Sequence, residues 1–154
     1  SRYKLALECP TKLFYTGKDE FPNTTMNDPF MAALAEGGYQ VGELSKKYVP
    51  DGVELSHLKG EEAVAATAEL LTQEQVIIYE AAIKYKNLYV RVDILVKEGN
   101  KIELIEVKSK TYDPSNEYIF IGKKGGLVSG WKPYLHDVAF QSHVLIKAYP
   151  HYVI

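Results

Sequence analysis

In Leu88 to Lys110, LYVRVDILVKEGNKIELIEVKSK, three charged side chains stand where strands would normally carry apolar ones. Asp93 interrupts Val92, Ile94 and Leu95, and Glu106 and Lys108 flank Val107 at the end of a second apolar run. A lone carboxylate in a buried strand is costly unless something pairs with it. Two carboxylates side by side on neighbouring strands repel each other and raise a pKa. A divalent cation relieves both costs, and Mg²⁺ is usually held by one or two carboxylates with waters and substrate phosphate oxygens. A lysine beside such a cation is a fixed positive charge. It can hold an attacking water or offset the charge that builds on a phosphate. Spacing alone fits equally well an Asp–Lys or Glu–Lys ion pair on an exposed hairpin.

The elements that must position these groups follow from the pattern around them. Leu88 to Lys97 reads as one strand and Lys101 to Ser109 as the next, joined by the turn Glu98-Gly99-Asn100. Side chains alternate faces along a strand, so Ile102, Leu104, Glu106 and Lys108 share one face and Ile105 and Val107 the other. Both faces are mostly apolar, as in a strand covered on both sides. Val76 to Lys86 forms a hairpin with the first strand through Lys86-Asn87, which makes a three-stranded meander. Glu80 is the one charge inside its apolar part, either a group supporting the site or an ordinary charge at a sheet margin.

Helices are expected on either side of these strands. Asp28-Pro29 starts one, with Asp as N-cap and Pro in the first turn, and it runs to Glu36, where Gly37-Gly38 stops it. A second helix covers Tyr39 to Tyr48, with Tyr39, Val41, Leu44 and Tyr48 at near-helical spacing. Pro50-Asp51-Gly52 is a turn and Val53 to Leu55 a short edge strand. Gly60 to Gln73 is an Ala-rich helix with Glu61 and Glu62 where they suit its dipole. Trp131 to Tyr149 is the last, with Leu135, Val138, Ala139, Leu145 and Ile146 as an apolar stripe. Lys18 to Asn27 and Thr111 to Ser129 read as irregular. In the latter, Lys123-Lys124 beside flexible glycines suit either a phosphate backbone or a solvated linker. His57 reads as a surface residue, and His136 and His143 lie two turns apart, too far for one ion.

The chain has 154 residues, 46% apolar and 25% charged, with a formal net charge of −2. That length suits one domain, residues 1–154, with a real core. The start at Ser1 without Met and the apolar end at Ile154 suggest a piece of a longer protein with further domains. No apolar run approaches the roughly 20 residues of a membrane helix. Mild acidity does not advertise nucleic-acid binding, but a local basic groove is enough for it. The lone Cys9 rules out an internal disulfide framework and fits a reducing, cytoplasmic setting.

Asp93 followed by Glu106-Val107-Lys108, thirteen residues on across a tight turn, resembles the core of the PD-(D/E)XK nuclease superfamily. Val92 stands where that pattern has its Pro. The order of the remaining elements resembles the RecB-like exonuclease branch. That resemblance implies an α/β fold of restriction-endonuclease type, a small mixed sheet with an antiparallel meander core flanked by helices. It implies Mg²⁺- or Mn²⁺-dependent hydrolysis of phosphodiester bonds in DNA, exonuclease-like, in repair, recombination or defence. Asp93, Glu106 and the Val107 carbonyl would be metal ligands and Lys108 the catalytic amine. Glu43, in Gly42-Glu43-Leu44, falls where the branch places a further ligand, with Glu36 a weaker competitor. Gln141 falls where the branch carries a Gln that contacts the active-site lysine or the DNA, and Leu145 stands in place of the usual Tyr four residues on. Asp137 lies one turn before Gln141 and can face the same site. The segment around Cys9-Pro10 resembles one that can open a four-Cys iron–sulfur cluster. Such a cluster takes four thiolates, so a single Cys9 makes it unlikely in this chain. Two other readings remain open. One is a nuclease-like domain that binds nucleic acid without cutting, and the other is an interaction module with no polynucleotide ligand.

Overall fold

The computed structural model describes residues 2–23 and 27–154, so the expected loop Lys18 to Asn27 falls partly outside the described residues. The chain divides into two compact units: one formed by the chain up to Gly37 with Lys110–Val138, the other by Gly38–Ser109 with Ala139–Ile154. The helices are α1 (Arg2–Glu8), α2 (Pro10–Tyr15), α3 (Pro29–Tyr48), α4 (Gly60–Leu70) and α5 (Lys132–Ala148), and the strands are β1 (Val53–Glu54), β2 (Gln75–Tyr85), β3 (Leu88–Glu98) and β4 (Lys101–Ile105).

The second unit holds a four-stranded sheet in the order β1-β2-β3-β4. The three long strands form the antiparallel meander, and β1 pairs in parallel with β2, so the α/β fold carries a mixed sheet. The hairpin β2–β3 is the longest pairing, and its residues Ile78, Ala81, Ala82, Ile83, Val92, Ile94 and Leu95 have almost no exposure. Leu71 beyond α4 and Val144 and Leu145 of α5 complete the same core cluster. The C-terminal residues lie along the free side of β4: Ile102 N–H donates to the Val153 carbonyl and Val153 N–H to the Asn100 carbonyl, each at 2.8 Å.

Two polar devices lock the sheet to its surroundings. The buried Thr67 hydroxyl accepts a hydrogen bond from the Ala82 N–H and donates to the Ala63 carbonyl, both at 2.9 Å. Ala82 lies beyond the end of short β1, so its N–H has no strand to donate to, and a helix side chain supplies the acceptor instead. The Tyr79 hydroxyl donates to the Val49 carbonyl at 2.5 Å and accepts from the Gly52 N–H at 3.1 Å. A Cβ at residue 52 would collide with the Tyr79 ring, so only glycine fits that turn.

Several boundaries differ from the sequence expectation, each for a local reason. Gly37-Gly38 does not stop a helix, because α3 is continuous from Pro29 to Tyr48. Neither glycine has a positive φ, so the penalty of roughly 1 kcal/mol for each glycine is absorbed within a long helix. Asp28 caps its start, accepting from the Phe30 N–H at 2.9 Å. Strand β4 ends at Ile105, not Ser109, because the next backbone donor on that side turns to a carboxylate. Helix α4 ends at Leu70, with Leu71 as its C-cap.

In the first unit Pro10, which lacks a backbone donor, opens the second of two short helices, and Cys9 caps it through an Sγ that accepts from the Lys12 N–H at 3.4 Å. The segment after Ser109 is more ordered than its composition suggests. Ile121 and Leu127 form an antiparallel bridge around Lys123-Lys124, closed by Gly125 and Gly126, whose φ values are 78° and 81°.

Replacing Thr67 by Val keeps the volume and strands the Ala82 N–H in the core. It is expected to lower unfolding stability by about 1–3 kcal/mol in urea titrations, whereas Thr67→Ser stays within about 1 kcal/mol of the parent.

Candidate functional site

The register of the meander brings the acidic groups together. Ile94 pairs with Ile105 on β4, and one further step along the same register sets Asp93 opposite Glu106. Residues directly opposite in an antiparallel pair lie on one face with Cβ atoms roughly 5 Å apart. The ladder proper stops there, because the Val107 N–H donates to Asp93 Oδ2 at 2.7 Å. A side-chain carboxylate thus replaces a backbone acceptor and frees Glu106-Val107-Lys108 from strand geometry.

The surrounding groups hold this arrangement in place. Lys108 Nζ pairs with Glu106 Oε1 and lies 3.9 Å from Asp93 Oδ2. Gln141 of α5 donates through Nε2 to Glu106 Oε2 at 2.7 Å. The Glu106 side chain is only 6% exposed, while those of Asp93 and Lys108 keep about a third of their surface. Gln141 is itself buried, and its Oε1 has no hydrogen-bond partner among the described residues. An orphan acceptor costs free energy in a buried site, and this one is a place for a donor that the protein itself does not supply.

Electrostatics follow the geometry. Burial pushes the Asp93 carboxyl above the ordinary carboxylate range. The Val107 N–H and the Lys108 charge pull it down, and the Glu80 charge pushes it further up. Burial likewise raises Glu106, opposed by its bond to Lys108 and reinforced by the Asp93 charge. The Asp93 charge opposes ionisation of Glu106, so the pair holds a proton more readily than an isolated carboxyl would.

Asp93, Glu106, Val107, Lys108 and Gln141 are therefore one constellation. Glu43 is placed elsewhere: its side chain is 72% exposed and pairs with Lys46, which also pairs with Glu54, each at 2.6 Å. Among the described residues no three His, Cys, Asp or Glu side chains gather as a metal-ligand group. Glu80 comes nearest to being a third. Tyr79 pairs with Ile94 and Ala81 with Val92, so Glu80 sits opposite Asp93, yet it makes no ladder pair. Its φ of 57° lies in the left-handed region, a conformation that costs about 1–3 kcal/mol outside glycine.

Arg91, which shares a face with Asp93, is an additional member of the site. Its Nε lies 3.5 Å from Glu80 Oε2, and its terminal nitrogens donate to the Leu55 and Leu58 carbonyls at 3.0 and 3.1 Å. It breaks the apolar run LYVRVDILV as plainly as Asp93 does, and that was the available signal.

No protein-family model, curated protein or solved structure matches this chain.

Both raised carboxyls bind protons more readily in the folded chain than in the unfolded one. Stability that depends on them is therefore present at and below the ordinary carboxylate values of 3.8 and 4.5. It is lost as pH rises through the elevated ones. Asp93→Asn keeps an acceptor for the Val107 N–H and removes the repulsion. In metal-free buffer at pH 7 it is expected to raise the melting temperature by several degrees over the parent. That gain should shrink as pH falls toward 4 in a calorimetric series.

Proposed function

We propose that this chain is a metal-dependent nuclease of the PD-(D/E)XK type and the RecB-like exonuclease branch, with a restriction-endonuclease-like core. It would hydrolyse phosphodiester bonds in DNA, in repair, recombination or defence within the cytoplasm. The observation that carries the reading is the meeting of the Asp93 carboxyl on β3 and the Glu106 carboxyl just beyond β4 under one lysine. The donor set suits a hard cation: two carboxyls with elevated proton affinity and a spare buried amide oxygen, with no thiolate and no histidine among them. Mg²⁺ or Mn²⁺ would be held by Asp93, Glu106 and the Val107 carbonyl, where it would acidify a water and stabilise the leaving oxygen.

The protein's own groups have separate tasks. Glu106 fixes the Lys108 ammonium, which offsets negative charge on the non-bridging oxygens of the phosphate and orients the attacking water. Gln141 fixes the rotamer of Glu106 from α5, so the carboxylate cannot swing away when its charge partner engages substrate. Val107 holds Asp93 through its N–H. Arg91 keeps Glu80 beside the pair, where its charge sustains the elevated proton affinity of Asp93. Glu43 has no task here.

A second reading is favoured by one observation, the absence among the described residues of a third acidic ligand. On that reading the domain binds nucleic acid without cutting it. Calorimetric Mn²⁺ titration separates the two: a nuclease binds the ion, and Asp93→Ala abolishes the binding.

Cleavage of end-labelled linear and closed circular DNA with Mn²⁺ tests the main reading. Lys108→Ala is expected to slow cleavage about 10²–10³-fold with unchanged circular dichroism. Cutting by Lys108→Ala at the parental rate would sink the mechanism.

A further inference from the structure

The first unit carries a run of aromatic rings that its own packing does not cover. Tyr112 and Phe120 are stacked with centroids 6.3 Å apart, Phe120 meets the Trp131 ring edge-to-face at 5.1 Å, and Trp131 meets Tyr134 at 6.1 Å. Tyr112 is 56% exposed and Phe120 39%. Core aromatics are buried far more deeply, so these rings present faces to solvent.

The rings are held firmly for a surface segment. Phe120 stands at the base of the small hairpin closed by the Ile121–Leu127 bridge, its carbonyl accepting from the Val128 N–H at 2.9 Å. Trp131 is tied back through its N–H to the Val128 carbonyl at 2.9 Å.

Cations interleave with the rings. Lys110 Nζ lies 5.0 Å from the Trp131 centroid and 5.4 Å from that of Tyr134, and Lys123 lies 5.3 Å from Tyr118. Lys124 stands beside Lys123 at the hairpin tip. From Lys110 to Tyr134 the chain carries four lysines and two acids, and one acid, Asp113, is engaged by the N–H and hydroxyl of Ser115. The segment is thus locally basic in a chain whose overall charge is −2. Flat π faces at successive positions, with ammonium groups between them, fit a ligand with alternating flat bases and phosphates. Bases offer their faces only when they are unpaired.

We propose that the aromatic run Tyr112–Phe120–Trp131–Tyr134, with Lys110, Lys123 and Lys124, is a stacking platform for single-stranded DNA. The proposal deepens the nuclease reading by naming the strand state of its ligand, and it rests on that reading for the choice of a polynucleotide. Bases stack on the exposed faces of Tyr112 and Phe120 and against Trp131, while the lysines leave the ring faces to meet phosphates. Stacking does not distinguish among bases, so binding is tolerant of sequence.

Trp131 is the only tryptophan in the chain, so its fluorescence reports on the platform alone. The full chain is titrated in EDTA, which excludes cleavage, with oligo-dT of about 12 nucleotides, a blunt duplex of the same length, oligo-rU and inorganic polyphosphate. Expected are quenching by oligo-dT, at least tenfold weaker binding of the duplex and polyphosphate, and affinity that falls as salt rises. Phe120→Ala and Tyr112→Leu should each weaken oligo-dT binding about tenfold, with unchanged circular dichroism. The double change Lys123→Ala/Lys124→Ala should flatten the salt dependence by roughly one unit of slope.

Equal affinity for duplex or polyphosphate overturns the proposal, as does the absence of quenching. Tighter binding of oligo-rU than of oligo-dT overturns the choice of DNA. The two readings fail separately. Quenching by oligo-dT without cleavage under any metal would remove the nuclease and leave the platform. Cleavage of duplex without oligo-dT quenching would do the reverse.

Discussion

Two carboxyls facing each other, one on a strand and one just past the end of its neighbour, are an unfavourable arrangement, and much of the second unit is organised around tolerating it. Asp93 and Glu106 would repel if both were ionised, and burial makes each charge costlier. The chain counters with one ammonium, one amide and one backbone N–H. Removing any of the three would leave the pair less compensated. Natural sites that keep such unfavourable electrostatics usually do so because a ligand relieves them, with stability sacrificed for activity.

The sheet makes this tolerable by being rigid around the pair. The residues that flank Asp93 on β3, Val92 and Ile94, are fully buried, and the hairpin below is closed by ten paired positions on which β2 and β3 agree in register. A one-residue slip would send Asp93 to the other face and destroy the constellation. Thr67 and Tyr79 oppose such a slip, since each ties a fixed point of β2 to backbone outside the hairpin. Glu80 is the exception, a left-handed residue in mid-strand that interrupts the ladder without shifting it. Backbone strain of this kind persists where the surrounding structure over-determines it.

What the sequence revealed and concealed follows from the range of each interaction. Asp93, Glu106 and Lys108 were legible because charges stand out against Val, Ile and Leu, and period-2 alternation is a local property. The end of β4 at Ile105 was not legible, because the competitor for the Val107 N–H is a side chain fourteen residues away. Gly37-Gly38 looked like a stop signal, yet glycine only weakens a helix, and α3 has length enough to absorb two. The left-handed Glu80 had no glycine, asparagine or aspartate to announce it. Glu43 stands out only by its position within a helix, and position along the chain does not say which way a side chain turns. Its partner Lys46, one turn on, was the nearer claim on its charge. No motif announced the aromatic run, since its rings are scattered over Tyr112 to Tyr134 and are gathered by the hairpin at Gly122–Gly126.

The pairing of Val153 with Lys101 and Ile102 has a wider effect. A bare outer strand is an invitation for another polypeptide to add itself to the sheet. Here Val153 of the same chain occupies that position over the first residues of β4, and the remainder of the strand is cut short where Val107 turns to Asp93. Self-association by strand addition therefore has little unclaimed backbone on this flank.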